Sequence, residues 1–195
     1  MDKNLIDKIK SLREETGAPI GLIKEALELN QNDSEKAKLF LIKKGSEFLS
    51  KKSETTAAKS LIEGYIHFNG KVGALVELGA ETDFVTRNDD FKKLAHEIAV
   101  QVATMNPTYL NRDQVPTDLL EKEKENFKEE IKNKPKDVAE KINAGKLEKF
   151  FENVCLIDQP YFKDEKLKIK DLVSQAANKF KEKIEIKKFS RLSST

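Results

Sequence analysis

The sequence predicts an α+β protein: a three-helix module, a linker, and then a small antiparallel sheet packed with helices. Two patterns lead to this fold class. Apolar residues recur at helical spacing through the first 45 residues and again after Asn88. Between these regions, two β-rich runs flank Asn69-Gly70. We therefore expect the module at residues 1–45, the linker at 46–58 and the α+β core at 59–195.

The N-terminal module is predicted from apolar stripes and from the residues that interrupt them. Gly17, in "TGAP", suits the left-handed cap of a first helix. Pro19 suits the first turn of a second helix, Asp33 can cap a third, and we expect Gly45 to stop it. The first helix has an apolar stripe of Leu5, Ile9 and Leu12, the second carries Ile20, Ile23 and Leu27, and the third places Ala37, Phe40 and Leu41 inward. Residues 46–58 lose this period, so we interpret them as a linker that is partly helical.

The runs around Asn69-Gly70 predict a β-hairpin whose register depends on the length of its loop. A two-residue turn would pair Ile66 with Gly73 and would divide the large apolar residues between the two faces. A shift of one residue pairs Ile66 with Ala74 and collects these residues on one face. We therefore predict a three-residue loop or a bulge.

The remaining elements alternate between helix and strand. Asn88 can cap a helix that has Asp89 and Asp90 in its first turn, where the helix dipole favours acids. The charged stretch "LLEKEKENFKEEIKNK" and "DVAEKINAGKLEKFFEN" predict two helices separated by Pro135. "VCLIDQP" is predicted as a short strand, "DLVSQAANKF" as the last helix and "KIEIKKF" as the last strand.

Composition argues against several function classes. The net charge is only +2, which is low for a protein that binds by neutralising phosphates. One cysteine, Cys155, permits no internal disulfide, and with only His67 and His96 it cannot form a Cys/His zinc site. The sequence lacks an apolar run of about 20 residues and a signal-peptide pattern, so we expect a cytoplasmic protein without a membrane span.

The sequence also lacks the motifs of a catalyst. Neither a GxxxxGK[ST] phosphate loop nor a GxGxxG motif is present, and the serines lack a nucleophile-elbow context. His67 and His96 have no nucleophile to activate, and Cys155 has the surroundings of a buried small hydrophobe. We therefore expect a protein that is not an enzyme, with no cofactor and no metal site.

The stretch "ELGAETDFVTRNDDF" places an aromatic residue, Phe84, in a short polar loop before a helix. The ring either turns back into the core or projects outward into something else. Spacing alone favours the core, with Asp83 acting as a helix cap.

Four segments of the chain resemble a known family. "LREETGAPIGLIKEAL" resembles the N-terminal signature of bacterial elongation factor Ts, and "ETDFVTRND" resembles that family's TDFV loop. "DQPYFKD" and "KIEIKKFSR" are similar to further family segments, so the resemblance covers nearly the whole chain in order. The chain is similar to the short form of the family. It departs from the usual pattern at three places: Pro19-Ile20-Gly21, Ala80 and Lys181–Ile184.

The resemblance implies a guanine nucleotide exchange factor for elongation factor Tu. It implies that Phe84 wedges into the magnesium and phosphate site of that GTPase, within a loop formed by Thr82, Asp83, Phe84 and Val85. It further implies a second contact from the UBA-like (ubiquitin-associated-like) N-terminal module, through Arg13, Gly17, Ala18, Ile20 and Lys24. Short members suggest a homodimer, because one half-core can be completed by a second copy.

Two alternatives stay open from the residues. A UBA-like adaptor would explain the three-helix module but not the TDFV loop. A ribosome- or RNA-associated protein could use the lysine-rich tail from Lys179 to Lys188, although the low net charge argues against direct binding to nucleic acid.

Overall fold

The computed structural model describes residues 3–51, 56–131 and 136–194. Helices and a small antiparallel sheet confirm the predicted α+β class. The elements are α1 (Lys3–Thr16), α2 (Ile20–Leu29), α3 (Ser34–Lys51), β1 (Lys59–Ile66), β2 (Val72–Ala80), α4 (Asp83–Thr86), α5 (Asp89–Met105), α6 (Thr117–Ile131), α7 (Lys136–Val154), β3 (Pro160–Tyr161), β4 (Asp164–Lys168), α8 (Ile169–Phe180) and β5 (Glu185–Ser193).

Helices α1 to α3 form a module with its own apolar core. Gly17 has φ +64°, so it ends α1 in the left-handed conformation as predicted. The carboxylate of Asp33 accepts hydrogen bonds from the backbone N–H groups of Glu35 and Lys36 and thereby caps α3. Pro19 precedes α2 as its N-cap and does not lie in the first turn. The buried residues of this core are Ile9, Leu12, Ala18, Ile23, Ala26, Leu27, Ala37 and Leu41.

The third helix does not stop at Gly45, contrary to the prediction. α3 continues to Lys51 and packs against α8 of the core, and Ile42 lies in the apolar cluster of the core. A glycine inside a helix costs about 1 kcal/mol relative to alanine, which tertiary packing of this kind can offset. Residues 46–51 of the expected linker are therefore helical, and residues 52–55 lie outside the described part of the chain.

The sheet has the strand order β1-β2-β5, and both neighbouring pairs are antiparallel. The predicted hairpin register is wrong. Ile66 pairs with Gly73, which is the register of a two-residue turn. The last pair is closed by a hydrogen bond from the His67 N–H to the Val72 carbonyl, so the loop has four residues, 68–71. A four-residue loop keeps the same register as a two-residue turn, and the one-residue shift is therefore not needed.

This register divides the apolar residues between the two faces of the sheet. Val76 and Leu78 are fully buried against α5 and the core. The opposite face carries large apolar side chains that remain exposed. We call this the outer face of the sheet; it consists of Ile62, Ile66, Leu75 and Leu192, which are 63%, 76%, 55% and 76% exposed.

Helix α5 covers the inner face of the sheet, and α8 packs against α3 and α5 to complete the core. The predicted helix of α8 and strand of β5 are confirmed, but the strand predicted at "VCLIDQP" is wrong. Val154 ends α7, Cys155 forms an isolated bridge with Tyr109, and Leu156–Asp158 form a 3-10 turn. The β3–β4 hairpin was not predicted from the sequence. Pro135, predicted as the break between two helices, lies outside the described residues.

A charged network ties the loop before α6 to α7 and to the 3-10 turn. Arg112 donates two hydrogen bonds to Asp158, at 2.8 and 2.9 Å, and two to Glu148, at 2.7 and 2.8 Å. Burial raises the pKa of Asp158, but the hydrogen bonds and charge of Arg112 and Lys170 outweigh it and lower that pKa below its ordinary value. The buried carboxylate is therefore held in its charged form.

Candidate functional site

Phe84 projects outward from the single-turn helix α4, and the two residues that follow it are buried. Its side chain is 81% exposed, whereas Val85 and Thr86 are 2% and 8% exposed. The hydroxyl of Thr82 caps this turn by accepting the Val85 N–H at 3.5 Å. The structure therefore turns the ring outward and anchors the turn through its neighbours. We call Thr82–Val85 the Phe84 turn.

Two carboxylates, of Glu182 and Glu81, hold the Phe84 turn to the segment between α8 and β5. The N–H and the hydroxyl of Thr82 donate to Oε2 and Oε1 of Glu182, at 3.0 and 2.6 Å. The N–H of Lys183 donates to Oε1 of Glu81 at 2.6 Å. In addition, Nζ of Lys59 lies 3.6 Å from Oδ2 of Asp83.

Helix α5 supports the turn from the C-terminal side. The side chain of Asn88 accepts the Asp90 N–H at 2.9 Å, which confirms the predicted cap. Asp90 in turn accepts a 2.6 Å hydrogen bond from Nζ of Lys179 in α8. This hydrogen bond and the charge of Lys179 lower the pKa of Asp90 below its ordinary value. Arg87 is the C-cap of α4, and the next residue, Asn88, is the N-cap of α5. Helices α5 and α8 therefore fix the C-terminal end of the turn from which Phe84 projects.

The five residues expected to form the second contact divide into two groups. Arg13, Ile20 and Lys24 are exposed and available to another protein. Ala18 is 1% exposed and belongs to the core of the module. Gly17 faces α8, because a β-carbon at this position would lie 2.7 Å from the Lys179 β-carbon. Gly17 and Ala18 can therefore shape this surface but do not present side chains on it.

The module and the Phe84 turn meet through α8. A cleft between the module and α8 is lined by Lys10, Arg13, Glu14, Gly17 and Lys179. Lys179 contacts Gly17 of the module and Asp90 of α5, so one side chain links the module to the helix that follows the Phe84 turn. The sequence reasoning missed Lys179, Glu182 and Glu81 as positioning groups. They are ordinary charged residues, and of the three only Glu182 lies in the segment Lys181–Ile184, which departs from the family pattern.

The side chains that were candidates for catalysis, Cys155, His67 and His96, have contacts typical of structural residues. Cys155 is fully buried, and burial raises the pKa of its thiol to about 11. Nδ1 of His67 hydrogen-bonds with the Tyr65 hydroxyl, and Nδ1 of His96 lies 3.4 Å from Glu63. Among the described residues, no three His, Cys, Asp or Glu side chains are grouped as they would be around a metal ion. Within the same ranges, no helix has the length and apolar character needed to cross a bilayer.

Comparison with known proteins gives one consistent family. The sequence model described as "Elongation factor TS" matches residues 22–194. The chain is 48% identical over 186 residues to elongation factor Ts of Thermotoga maritima, which covers 95% of this chain and 94% of the relative. It is 47% identical over 184 residues to that of Thermodesulfovibrio yellowstonii, covering 94% and 92%. It is 45% identical over 186 residues to that of Fervidobacterium nodosum, covering 94% of each chain. The chain therefore belongs to the elongation factor Ts family, the translation factors that promote nucleotide exchange on elongation factor Tu.

Proposed function

We propose that this protein binds elongation factor Tu in its GDP form and promotes GDP release by directing Phe84 against the magnesium and phosphate site. The observation that carries the proposal is the exposure of Phe84, at 81%, on a turn whose neighbours Val85 and Thr86 are buried. An exposed aromatic ring on a firmly anchored turn is suited to insertion into a pocket of a partner. Exchange of this kind breaks no covalent bond in either protein, and the proposal places the protein in the cytoplasm, where translation takes place.

Energy considerations require more than the ring. A nanomolar GDP complex corresponds to about −12 kcal/mol, whereas burying one phenylalanine contributes about 1.5–3 kcal/mol. A broad interface, on the order of 1,600 Å², must therefore supply the binding energy that the ring directs against the metal site. By linkage, GDP weakens binding of the factor by the same amount that the factor weakens binding of GDP.

The N-terminal module provides the second part of this interface in our proposal. Arg13, Ile20 and Lys24 are exposed, and Ile20 adds an apolar side chain that is 42% exposed. Gly17 and Ala18 contribute by fixing the shape of the surface and its position against α8. If the module and the Phe84 turn contact the partner at the same time, binding energy gained at the module acts on the nucleotide site through Phe84.

We also propose that the outer face of the sheet pairs with the same face of a second copy. Its four exposed apolar side chains lie beside Gly64 and Gly73, which add no side chains of their own to this face. A groove of about 520 Å³ runs over this face. Two such faces related by a two-fold axis can interdigitate as in a β-sandwich, with the sheets about 10 Å apart.

The lysine-rich tail does not favour the RNA-binding alternative. Lys179 pairs with Asp90, Lys183 with Glu185, and Lys188 lies 3.9 Å from Glu77. These acids offset the charge that phosphate binding would require. The UBA-like adaptor alternative leaves the Phe84 turn without a role.

Release of fluorescent GDP from elongation factor Tu, followed by stopped flow, tests the proposed function. We expect the release rate to rise with the concentration of the factor and then to saturate. A release rate that is unchanged at every concentration of the factor contradicts the proposal.

A further inference from the structure

We propose that Glu182 is a positioning residue for nucleotide exchange, because its carboxylate fixes Thr82 and thereby the direction in which α4 presents Phe84. The inference rests on the proposed function, since it concerns how the exposed ring is aimed. Glu182 itself does not belong to the Phe84 turn; it acts through Thr82, 100 residues away in the sequence.

The two hydrogen bonds between these residues constrain Thr82 in two ways. The backbone N–H of Thr82 donates to one carboxylate oxygen of Glu182, at 3.0 Å, and its hydroxyl donates to the other, at 2.6 Å. Hydrogen bonds to an ionised carboxylate are roughly twice as strong as those between neutral groups. Because backbone and side chain are held together, both the peptide plane and the rotamer of Thr82 are fixed.

A reciprocal hydrogen bond joins the neighbouring residues. The N–H of Lys183 donates to Oε1 of Glu81 at 2.6 Å, so each chain segment supplies a carboxylate to the other. The segment that leads into α4 and the segment that leads into β5 are therefore joined by hydrogen bonds at two consecutive residues of each segment. Neither segment can shift along the other without breaking charge-assisted hydrogen bonds.

Phe84 needs this support because its own ring is 81% exposed. Val85 and Thr86 anchor the C-terminal half of the turn, and Thr82 is the residue through which its N-terminal end is held. Thr82 is the N-cap of α4 and lies two residues before Phe84, so fixing Thr82 sets the direction of the ring. Small losses of orientation are costly wherever a group must act in one direction on a neighbouring site.

The same segment also contacts the N-terminal module. Lys181 ends α8 with φ +60°, and Glu182 follows it directly. Two residues earlier, Lys179 packs against Gly17 of the module and binds Asp90 of α5. The short stretch from Lys179 to Lys183 thus sets the position of the Phe84 turn relative to the second partner-binding surface.

The test compares three variants, Glu182→Ala, Glu182→Gln and Thr82→Val, with Glu165→Ala as the control. Glu165 is an exposed carboxylate on β4, so its removal changes the net charge equally. GDP release from elongation factor Tu is measured by stopped flow across a concentration series of each variant. For Glu182→Ala we expect the maximal release rate to fall about tenfold, while the half-saturating concentration changes by less than about twofold.

Two further comparisons separate positioning from a general structural effect. Glu182→Gln keeps an acceptor for the Thr82 N–H, so it should recover part of the lost rate. In the double variant Thr82→Val/Glu182→Ala, the loss should be smaller than the product of the two single losses, because both changes remove the hydrogen bond from the Thr82 hydroxyl to Glu182 and only the lost cap of the Val85 N–H adds to it. Independent, multiplicative losses would contradict the inference. If Glu182→Ala fails to fold, the Gln and Val variants carry the test.

The outcomes distinguish this inference from the function on which it rests. If elongation factor Tu releases GDP equally fast with Glu182→Ala and with Glu165→Ala but slowly with Phe84→Ala, Glu182 does not position the turn and the proposed function stands. If Phe84→Ala is also as fast as the unmodified protein, the proposed role of the ring fails first. A loss that appears only in the half-saturating concentration assigns Glu182 to binding and overturns the positioning role.

Discussion

Gly17 and Lys179 approach so closely that a β-carbon added to Gly17 would lie 2.7 Å from the Lys179 β-carbon and 2.9 Å from its α-carbon. The contact joins the N-terminal module to α8, which continues into the segment that holds the Phe84 turn. Gly17 also has φ +64°, a conformation that residues with a side chain rarely adopt.

Gly17→Ala should therefore separate the module from α8. We expect a loss of about 1–3 kcal/mol in the free energy of unfolding and weaker binding to elongation factor Tu. Gly21→Ala is the matched control, because Gly21 lies in α2 with nothing within 4 Å of its added β-carbon. Chemical denaturation should show that Gly21→Ala is neutral or slightly stabilising. Equal stability of the two variants would mean that the close contact does not constrain the junction.

Ile20 should contribute to binding without contributing much to folding. Ile20→Ser removes an apolar side chain that is 42% exposed, and we expect affinity for elongation factor Tu to fall about three- to eightfold, because burying the exposed part of this side chain contributes about 0.6–1.3 kcal/mol. Leu29→Ser, at the end of the same helix and 63% exposed, serves as the control. Calorimetric titration that finds the two variants equally affected would remove Ile20 from the interface.

The outer face of the sheet should determine the oligomeric state. Leu75→Lys places a charge in the centre of the proposed contact, so we expect a monomer at concentrations where the unmodified protein is a dimer. Val138→Lys, on α7 and 44% exposed, is the control and should leave the dimer intact. Sedimentation equilibrium measures both. A monomeric unmodified protein at high concentration, or a dimeric Leu75→Lys variant, contradicts the pairing.

Arg112 should stabilise the fold through the buried carboxylate of Asp158. Arg112→Gln leaves that charge with less compensation, and we expect a loss of about 3 kcal/mol in the free energy of unfolding at neutral pH. In the unmodified protein the pKa of Asp158 is below its ordinary value of 3.8, so its contribution is present above that pH and is lost as the pH falls through the lower folded pKa.

In Arg112→Gln the effect of burial on Asp158 is less opposed and raises its pKa relative to the unmodified protein. The difference in stability between the two proteins should therefore be largest near pH 7 and should shrink as the pH falls and Asp158 becomes protonated. Urea denaturation at several pH values measures this difference. A difference that is independent of pH would assign the effect of Arg112 to packing on Phe151, whose ring it covers at 4.5 Å.

Local signals in the sequence were sufficient for several elements of the fold. Asp33 and Asn88 cap the helices that they were predicted to cap, since a capping side chain and its N–H partner lie within three residues of each other. The helix after Asn88 and the alternating strand β5 were also predicted correctly, because the period of the apolar residues reflects one local geometry.

Features that depend on tertiary contacts were not predictable in the same way. Gly45 ends no helix, because α3 is supported by α8 from elsewhere in the chain. The hairpin register was wrong because the prediction assumed that apolar residues must share the inner face, whereas Ile62 and Ile66 lie on the outer face. The contact between Thr82 and Glu182 spans 100 residues and carries no local signal.

The most direct test of the account compares Phe84→Ala with Phe68→Ala in stopped-flow release of fluorescent GDP from elongation factor Tu. Both changes remove an exposed ring, 81% and 92% exposed, but only Phe84 lies on the α4 turn. We predict that Phe84→Ala stays folded and lowers the maximal release rate about tenfold or more, which corresponds to about 1.4 kcal/mol, whereas Phe68→Ala releases GDP at the unmodified rate. Equal maximal rates for the two variants would contradict the central claim that the exposed ring of Phe84 drives nucleotide release.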